Sequence, residues 1–320
     1  MSMRRIIIFG GNGFIGRYLV KYFSQAEYII KVFTRYPERA KHLKLCGLLG
    51  QVEIVSGDIY NNEQLVEHIS GCHVVINLIG NLYSTKKSSF YDVHVKVAEN
   101  IAKIAKKLNV QLMVHFSAMG IDGVHKSDYA NSKLMGEKLV KESFPDVVII
   151  RPSLVFGPED KFFNKFARLS KVLPFLPVIG GGQSVFQPVY VDDVARLVFH
   201  IVDCEIKDKL YNVCGPNTYS FKELLDFVFV ATQRKSRLFN ISFCIANILA
   251  FIFEIKIISV FLKPIIGNTD PVLTRDQVKF MKDMTKLRDI YPIDSLKKMG
   301  INFSTIEDIV PKYLEIYKSF

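Results

Sequence analysis

Three glycines constrain this chain more than any other feature. Gly10, Gly13 and Gly16 occupy the turn between an apolar run, Arg4–Phe9, and the helical stretch Phe14–Phe23. The run Arg4-Arg5-Ile6-Ile7-Ile8-Phe9 reads as a short, buried parallel strand rich in β-branched residues. Gly10 allows the tight turn, Gly13 removes a Cβ where backbone must meet an anion, and Gly16 lets the new helix pack closely on the strand. Asn12, Phe14 and Ile15 fill out the turn, and the first N–H groups of the helix then suit a dinucleotide pyrophosphate. The spacing, G-x-x-G-x-x-G, is one residue wider in its first gap than the usual fingerprint. The alternative is a plain Gly-rich turn. Glycine is sparse, with 19 in 320 residues, so three at this spacing directly after an N-terminal strand favour the binding turn.

Strand and helix signals alternate from there. Tyr28–Thr34, Val52–Ser56, Val74–Leu78, Val110–Phe116 and Val147–Ile150 read as further strands, and Glu63–Ile69, Val93–Lys107 and Tyr129–Ser143 as helices. Repeated βα units of this length predict an α/β fold, a doubly wound parallel sheet covered on both faces. Ligands of such sheets bind at the carboxyl ends of the strands, near the switch point. After residue 151 the pattern changes to a loop-rich stretch carrying Pro152, Gly157, Pro158, Pro174, Pro177 and Gly180-Gly181-Gly182, with helices expected at Ser220–Ala231 and Thr305–Tyr317. The expected division is a nucleotide-binding domain over 1–155, completed by about 186–215, and a smaller, mainly helical substrate or partner lobe over 156–320.

The net charge of +11 attracts anions of some kind. Lys and Arg are spread along the chain without an Arg-rich tract, which argues against nucleic acid and for nucleotide phosphates or an anionic membrane surface. Five scattered cysteines without a C-x-x-C pair predict neither a disulfide framework nor a zinc site, hence a reducing compartment. A first strand starting at about residue 4 leaves no room for a leader peptide, and no run reaches the ~18 apolar residues of a spanning helix. The expected location is cytoplasmic, either free or peripheral on the inner membrane face.

The stretch Leu238–Leu262 stands apart, with 16 uncharged residues before Glu254. Asn240, Asn247 and Glu254 recur every seven residues, which on one helix would make a narrow polar stripe. Arg234, Lys235 and Arg237 precede it, and Lys256 and Lys263 lie within or just after it. A core or dimer-interface helix is one reading, and a helix lying in a membrane interface is the other.

Arg35 follows the second strand, where NAD-binding folds place an acidic residue on the ribose 2′-hydroxyl. A guanidinium there matches a 2′-phosphate, with Arg39 in reach to assist, so NADP(H) is expected in preference to NAD(H). A solvated arginine at the sheet edge is the alternative. Asp58, beside Ile59 after the third strand, is placed either to accept from the adenine amino group or to hold a turn. Leu78 at the end of the fourth strand, Gly80 beyond it and Pro152 after the sixth complete the expected cofactor set. Tyr129 and Lys133 sit at i, i+4 on one helix face, where an ammonium beside a phenol favours the phenolate. Such a phenol can exchange a proton with a substrate oxygen while hydride moves to or from nicotinamide, and Lys133 can also hold ribose hydroxyls. Chance supplies such pairs in a chain with 14 Tyr, and Tyr83/Lys87 is another; Tyr129 is distinguished by opening the helix 12 residues after Ser117. Ser117 is placed to orient a substrate carbonyl. The histidines show no metal-ligand spacing, and no metal site is expected.

Gly10–Gly16, Asp58, Ser117, Tyr129/Lys133, Arg151-Pro152…Gly157-Pro158 and Tyr190–Ala195 together resemble the short-chain dehydrogenase/reductase superfamily, on its extended and atypical branches. More narrowly, Phe90–Ala102, Arg151–Phe163, Ile179–Ala195 and Leu273–Val278 resemble the subgroup containing the nucleotide-binding accessory subunit of respiratory complex I (NADH-ubiquinone oxidoreductase) and its bacterial relatives. The resemblance implies a Rossmann domain, a small C-terminal lobe and bound NADP(H). The chain departs from the enzymatic pattern at His94, where extended enzymes carry Asn, and at Ala118 and Met119, where they tend to carry Ser or Thr. Three functions follow: an NADP(H)-binding protein of the accessory-subunit type at a membrane or among respiratory-complex subunits, an active oxidoreductase or nucleotide-sugar epimerase using Tyr129 and Lys133, or a non-catalytic redox sensor. The sequence names no small-molecule substrate.

Overall fold

The computed structural model describes residues 3–85, 88–204, 208–235, 237–266, 270–285 and 301–318. Lys87 of the second Tyr-x-x-x-Lys pair lies outside them. The described chain divides into two units. The first holds Met1–Met119, Ser132–Pro152 and Val191–Val213, and the second holds Gly120–Asn131, Ser153–Tyr190 and Cys214–Phe320. Residues 120–131, which the sequence reading assigns to the nucleotide-binding half, therefore cluster with the second unit.

The first unit is built on a seven-stranded sheet. Its strands are β1 (Arg5–Phe9), β2 (Ile29–Thr34), β3 (Val52–Ser56), β4 (Val74–Asn77), β5 (Leu112–Phe116) and β6 (Val148–Pro152), with Leu210–Val213 as a seventh. They lie in the order Leu210–Val213, β6, β5, β4, β1, β2, β3. Every pairing is parallel. All carboxyl ends thus share one edge, and the order reverses between β1 and β4. Fully buried Ile6, Ile7, Ile8 and Phe9 explain why β1 reads as an unbroken apolar run.

Helices α1 (Phe14–Gln25), α2 (Asn62–Ile69) and α3 (Ala98–Lys107) connect the early strands, and α4 (Asp128–Ser143) precedes β6. Leu65, Ile69, Ile101, Ala102 and Ala105 pack with Ile7, Phe9, Val75 and Ile149 in one core. The predicted helix Val93–Lys107 is not uniform: Tyr91–Val97 is wound as a π-helix before α3 begins. The bulge accommodates α4, because a Cβ added to Gly136 would lie 2.0 Å from the carbonyl oxygen of His94. Further along come α5 (Phe163–Val172), α6 (Val191–Asp203) and α7 (Phe221–Thr232), of which α6 belongs to the first unit.

In the second unit, Phe156, Phe163, Leu224, Val228, Ile306, Val310 and Leu314 form a buried core. The expected single helix over Leu238–Leu262 does not form. Instead Arg237–Ile241 is a strand paired with Phe175–Ile179, followed by α8 (Phe243–Phe253), α9 (Lys256–Ile266) and α10 (Arg275–Met284). Ser242 starts a new helix by accepting from the N–H of Ile245. The seven-residue polar stripe therefore has no counterpart. Asn240 lies in the strand and accepts from the N–H of Gly181 at 2.7 Å. Glu254 caps α8 and pairs with Arg275 at 2.8 Å.

Within the first unit, buried Arg151 on β6 grips buried Glu137 on α4 through two 2.7 Å hydrogen bonds. Removing one partner strands the other charge, so Arg151→Met should destabilise the fold by about 3–5 kcal/mol. Arg151→Met with Glu137→Leu should recover most of that loss, as measured by denaturant unfolding.

Candidate functional site

The glycine turn has the geometry its spacing predicts. Gly10 has φ +81°, and a Cβ on Gly16 would stand 2.5 Å from the Gly10 carbonyl oxygen and from the Gly11 Cα. Gly13 is the N-cap of α1, no side chain caps the first turn, and that turn carries no acidic residue. The first N–H groups of α1, those of Phe14, Ile15 and Gly16, thus lie at this edge without a side-chain cap. Half-buried Asn12 lies within this turn.

Its neighbours along the same carboxyl edge follow from strand order. Leu78 donates its N–H to the Phe9 carbonyl at 2.9 Å, beside Gly10. Exposed Gly80 lies where a Cβ would come within 3.1 Å of Lys133 Nζ. Beyond β2, the guanidinium of Arg39 lies 4.9 Å from the ring centre of Tyr36 and that of Arg35 lies 5.8 Å from it, so two exposed cations gather around one aromatic ring. After β3, an Asp58 oxygen accepts from the N–H of Tyr60 at 3.1 Å, while Ile59 is buried below. Asp58 thus holds the turn, and with Tyr60, Asn61, Asn62 and Glu63 it lines a shallow depression. Pro152 ends β6, paired with Val213.

Behind β4 and β5 lies a buried polar cluster. Lys133 donates from Nζ to the Phe116 carbonyl at 3.1 Å, and burial pushes its pKa down to about 8. The N–H of Asn81 donates to His94 Nε2 at 3.0 Å, which leaves the ring proton on Nδ1, 2.9 Å from Ser132 Oγ. Asn77 donates to His115 Nδ1 at 3.2 Å. Burial, with the Lys133 charge added, pushes His94 down to about 2 and His115 to about 3, so both rings are neutral. Ser117 Oγ is buried without a hydrogen-bond partner among the described residues, while its N–H donates to Ile150.

Tyr129 belongs to the second unit. Its N–H donates to Asp276 Oδ2 at 3.2 Å, and its ring meets Phe280 edge-on at 6.1 Å. Asp276 also accepts from Ser127 Oγ and from the N–H of Asp128, each at 2.7 Å, so it caps α4 from α10. Burial and the Asp276 charge raise the Tyr129 phenol to about 12. This differs from the phenolate expected from the Tyr-x-x-x-Lys spacing, because desolvation outweighs any help from a nearby ammonium. Asp276 itself escaped the sequence reading: it lies 147 residues from Tyr129, and only the Leu273–Val278 match marked its neighbourhood.

The profile described as "NAD dependent epimerase/dehydratase family" matches residues 6–214. The chain belongs to that family. It is 31% identical over 326 residues to NADH dehydrogenase (ubiquinone) 1 alpha subcomplex subunit 9, mitochondrial, of Arabidopsis thaliana, covering 95% of this chain and 81% of that protein. The Dictyostelium discoideum protein of the same name is 34% identical over 233 residues, 72% of this chain; the match spans 65% of that protein. The fold matches DesIV, a dTDP-glucose 4,6-dehydratase from Streptomyces venezuelae solved with NAD and TYD, at TM-score 0.71 and 16% identity, covering 98% of this chain and 96% of that one. This member of the epimerase/dehydratase family is therefore a relative of the respiratory subunit-9 proteins on a dehydratase-like scaffold.

Two titrations test the site. Lys133 has its pKa lowered in the folded chain, from 10.5 to about 8. Between those values the unfolded chain holds the extra proton, so this group's contribution makes stability rise with pH. Lys133→Met should remove that rise in unfolding experiments between about pH 8 and pH 10. Separately, Asp276→Asn should lower the Tyr129 phenol pKa, read by carbon NMR of labelled tyrosine with Tyr129→Phe as the assignment control. It should also cost about 1 kcal/mol of stability as the α4 cap weakens.

Proposed function

We propose that this chain holds NADP(H) on its first unit as a resident dinucleotide and serves as a peripheral accessory subunit of a membrane-bound NADH dehydrogenase. The observation that carries the cofactor choice is the convergence of Arg35 and Arg39 on Tyr36 directly after β2, where a 2′-phosphate would meet two guanidinium forks. Gly10, Gly13 and Gly16, with the N–H groups of Phe14 and Ile15, would take the pyrophosphate. Asp58 and Ile59 would flank the adenine, and Leu78, Gly80, Lys133 and Pro152 the nicotinamide half. The uncapped turn fits the group, as does the orphaned Ser117 hydroxyl. When bound, the nicotinamide supplies or accepts hydride.

A holding role is supported by how this chain's own groups are spent. Lys133 is bonded to a backbone carbonyl, His94 is neutral and doubly engaged, and the Tyr129 phenol is held protonated near neutral pH. The assembly reading rests on likeness to subunit-9 proteins across most of the chain. One observation favours the second reading, an active oxidoreductase or epimerase: Ser117 Oγ is buried without a hydrogen-bond partner among the described residues, as suits a hydroxyl that orients a carbonyl.

Arg35→Ala combined with Arg39→Ala should weaken NADPH binding by roughly 10–100-fold and leave NADH binding nearly unchanged, measured by calorimetry. Equal loss for both nucleotides would sink the 2′-phosphate assignment. To separate the two readings, the protein is given NADPH deuterated at the reactive carbon and a metabolite extract. Retention of the label supports holding, whereas transfer that Tyr129→Phe abolishes supports catalysis.

A further inference from the structure

We infer that the exposed apolar face of α8 and α9 is an anchor that lies in the headgroup region of an anionic lipid bilayer. This deepens the peripheral reading above but stands on different residues, so each can fail alone. Along α8, Ala246 and Ala250 are buried against Ile179, Ile241 and Val278, which fixes the inward face. The outward side carries Ile245, Ile248, Phe251 and Ile252, and α9 continues it with Ile257, Val260 and Phe261. Phe261 is 77% exposed and Ile248 63%. An apolar patch of this kind needs a partner.

The geometry and charge select lipid. No single helix among the described residues is long and apolar enough to cross a membrane; Phe243–Phe253 and Lys256–Pro264 together reach that length and apolarity, but their axes are bent by 88°, which suits two helices laid along a surface better than one straight span. Lys256 and Lys263 lie two turns apart on α9, both exposed and flanking the apolar residues, with exposed Lys235 and Arg237 upstream. From Lys235 to Pro264 the one acidic residue is Glu254, and its carboxylate is held by the N–H and Nε of Arg275 at 2.8 Å each. The segment that carries the face is therefore net cationic. Lysines beside exposed aromatics match anionic headgroups over acyl chains, whereas lysine is depleted in protein–protein interfaces.

The full chain is sedimented with phosphatidylcholine vesicles and with the same vesicles doped with phosphatidylglycerol, at low and high salt. Co-sedimentation with the anionic vesicles, weakened by salt, is expected. Lys256→Gln and Lys263→Gln should each reduce it about fivefold. Phe261→Glu should abolish it while leaving thermal unfolding and NADPH affinity unchanged. Wild-type protein that stays in the supernatant with anionic vesicles overturns the inference, as does a Phe261→Glu variant that binds like wild type. A solution homodimer that Phe261→Glu dissociates assigns the face to a second copy and overturns it too. Vesicle binding by a protein that does not bind NADPH supports the anchor and refutes only the nucleotide assignment.

Discussion

The close approach of α1 to the end of β1 is the contact on which the first unit is registered. A methyl group at Gly16 would stand 2.5 Å from the backbone of Gly10 and Gly11, so the helix would have to withdraw from the strand. Its first N–H groups would withdraw from the carboxyl edge with it. The same turn fixes Gly10 against Leu78, and so ties the end of β1 to the end of β4 across the switch point. Residues that follow β2, β3, β5 and β6 fall along the same edge because every strand runs parallel. One missing side chain thus sets where a whole row of strand-end groups can sit.

Behind that row, burial decides protonation. A lysine and two histidines share a dry region at the ends of β4 and β5. Three adjacent cations there would be prohibitive, and the arrangement keeps at most one. Hydrogen bonding settles which: His94 must accept from Asn81, His115 must accept from Asn77, and Lys133 has only donors to offer the Phe116 carbonyl. The imidazole at position 94 is thereby accommodated as a neutral ring, stacked on Phe90 and bonded through both nitrogens. The π-helical turn gives that ring its place, since α4 presses Gly136 onto the His94 carbonyl.

Much of this was legible before any coordinates. The predicted β1, β2 and β3 fall within a residue of the observed strands, because buried parallel strands write continuous apolar runs. The helix at Tyr129–Ser143 likewise begins one residue early, at Asp128. The failures share a cause: they depend on contacts distant in sequence. Nothing in Val93–Lys107 announces a π-turn whose reason is Gly136. The stretch Leu238–Leu262 looked like one helix because composition records apolarity and not direction. Its breaks come from pairing with Phe175–Ile179 and from the Ser242 cap. The Tyr129 pKa was misjudged for the same reason, since its spacing to Lys133 is local while Asp276 and the burying surface are not.

The segment Leu273–Val278 shows how a short motif can carry likeness without carrying chemistry. Thr274 and Gln277 form a reciprocal capping box that starts α10 rigidly. Between them, two consecutive residues reach in different directions within the second unit. Arg275 takes Glu254 at the end of α8, and Asp276 takes the first N–H groups of α4. The capped turn therefore fixes both the root of the exposed apolar helices and the residue that bears the phenol. Four neighbouring positions are each constrained by a hydrogen bond, and none of them needs to touch a substrate. The stretch thus shapes the surroundings of Tyr129 through Asp276 from 147 residues away.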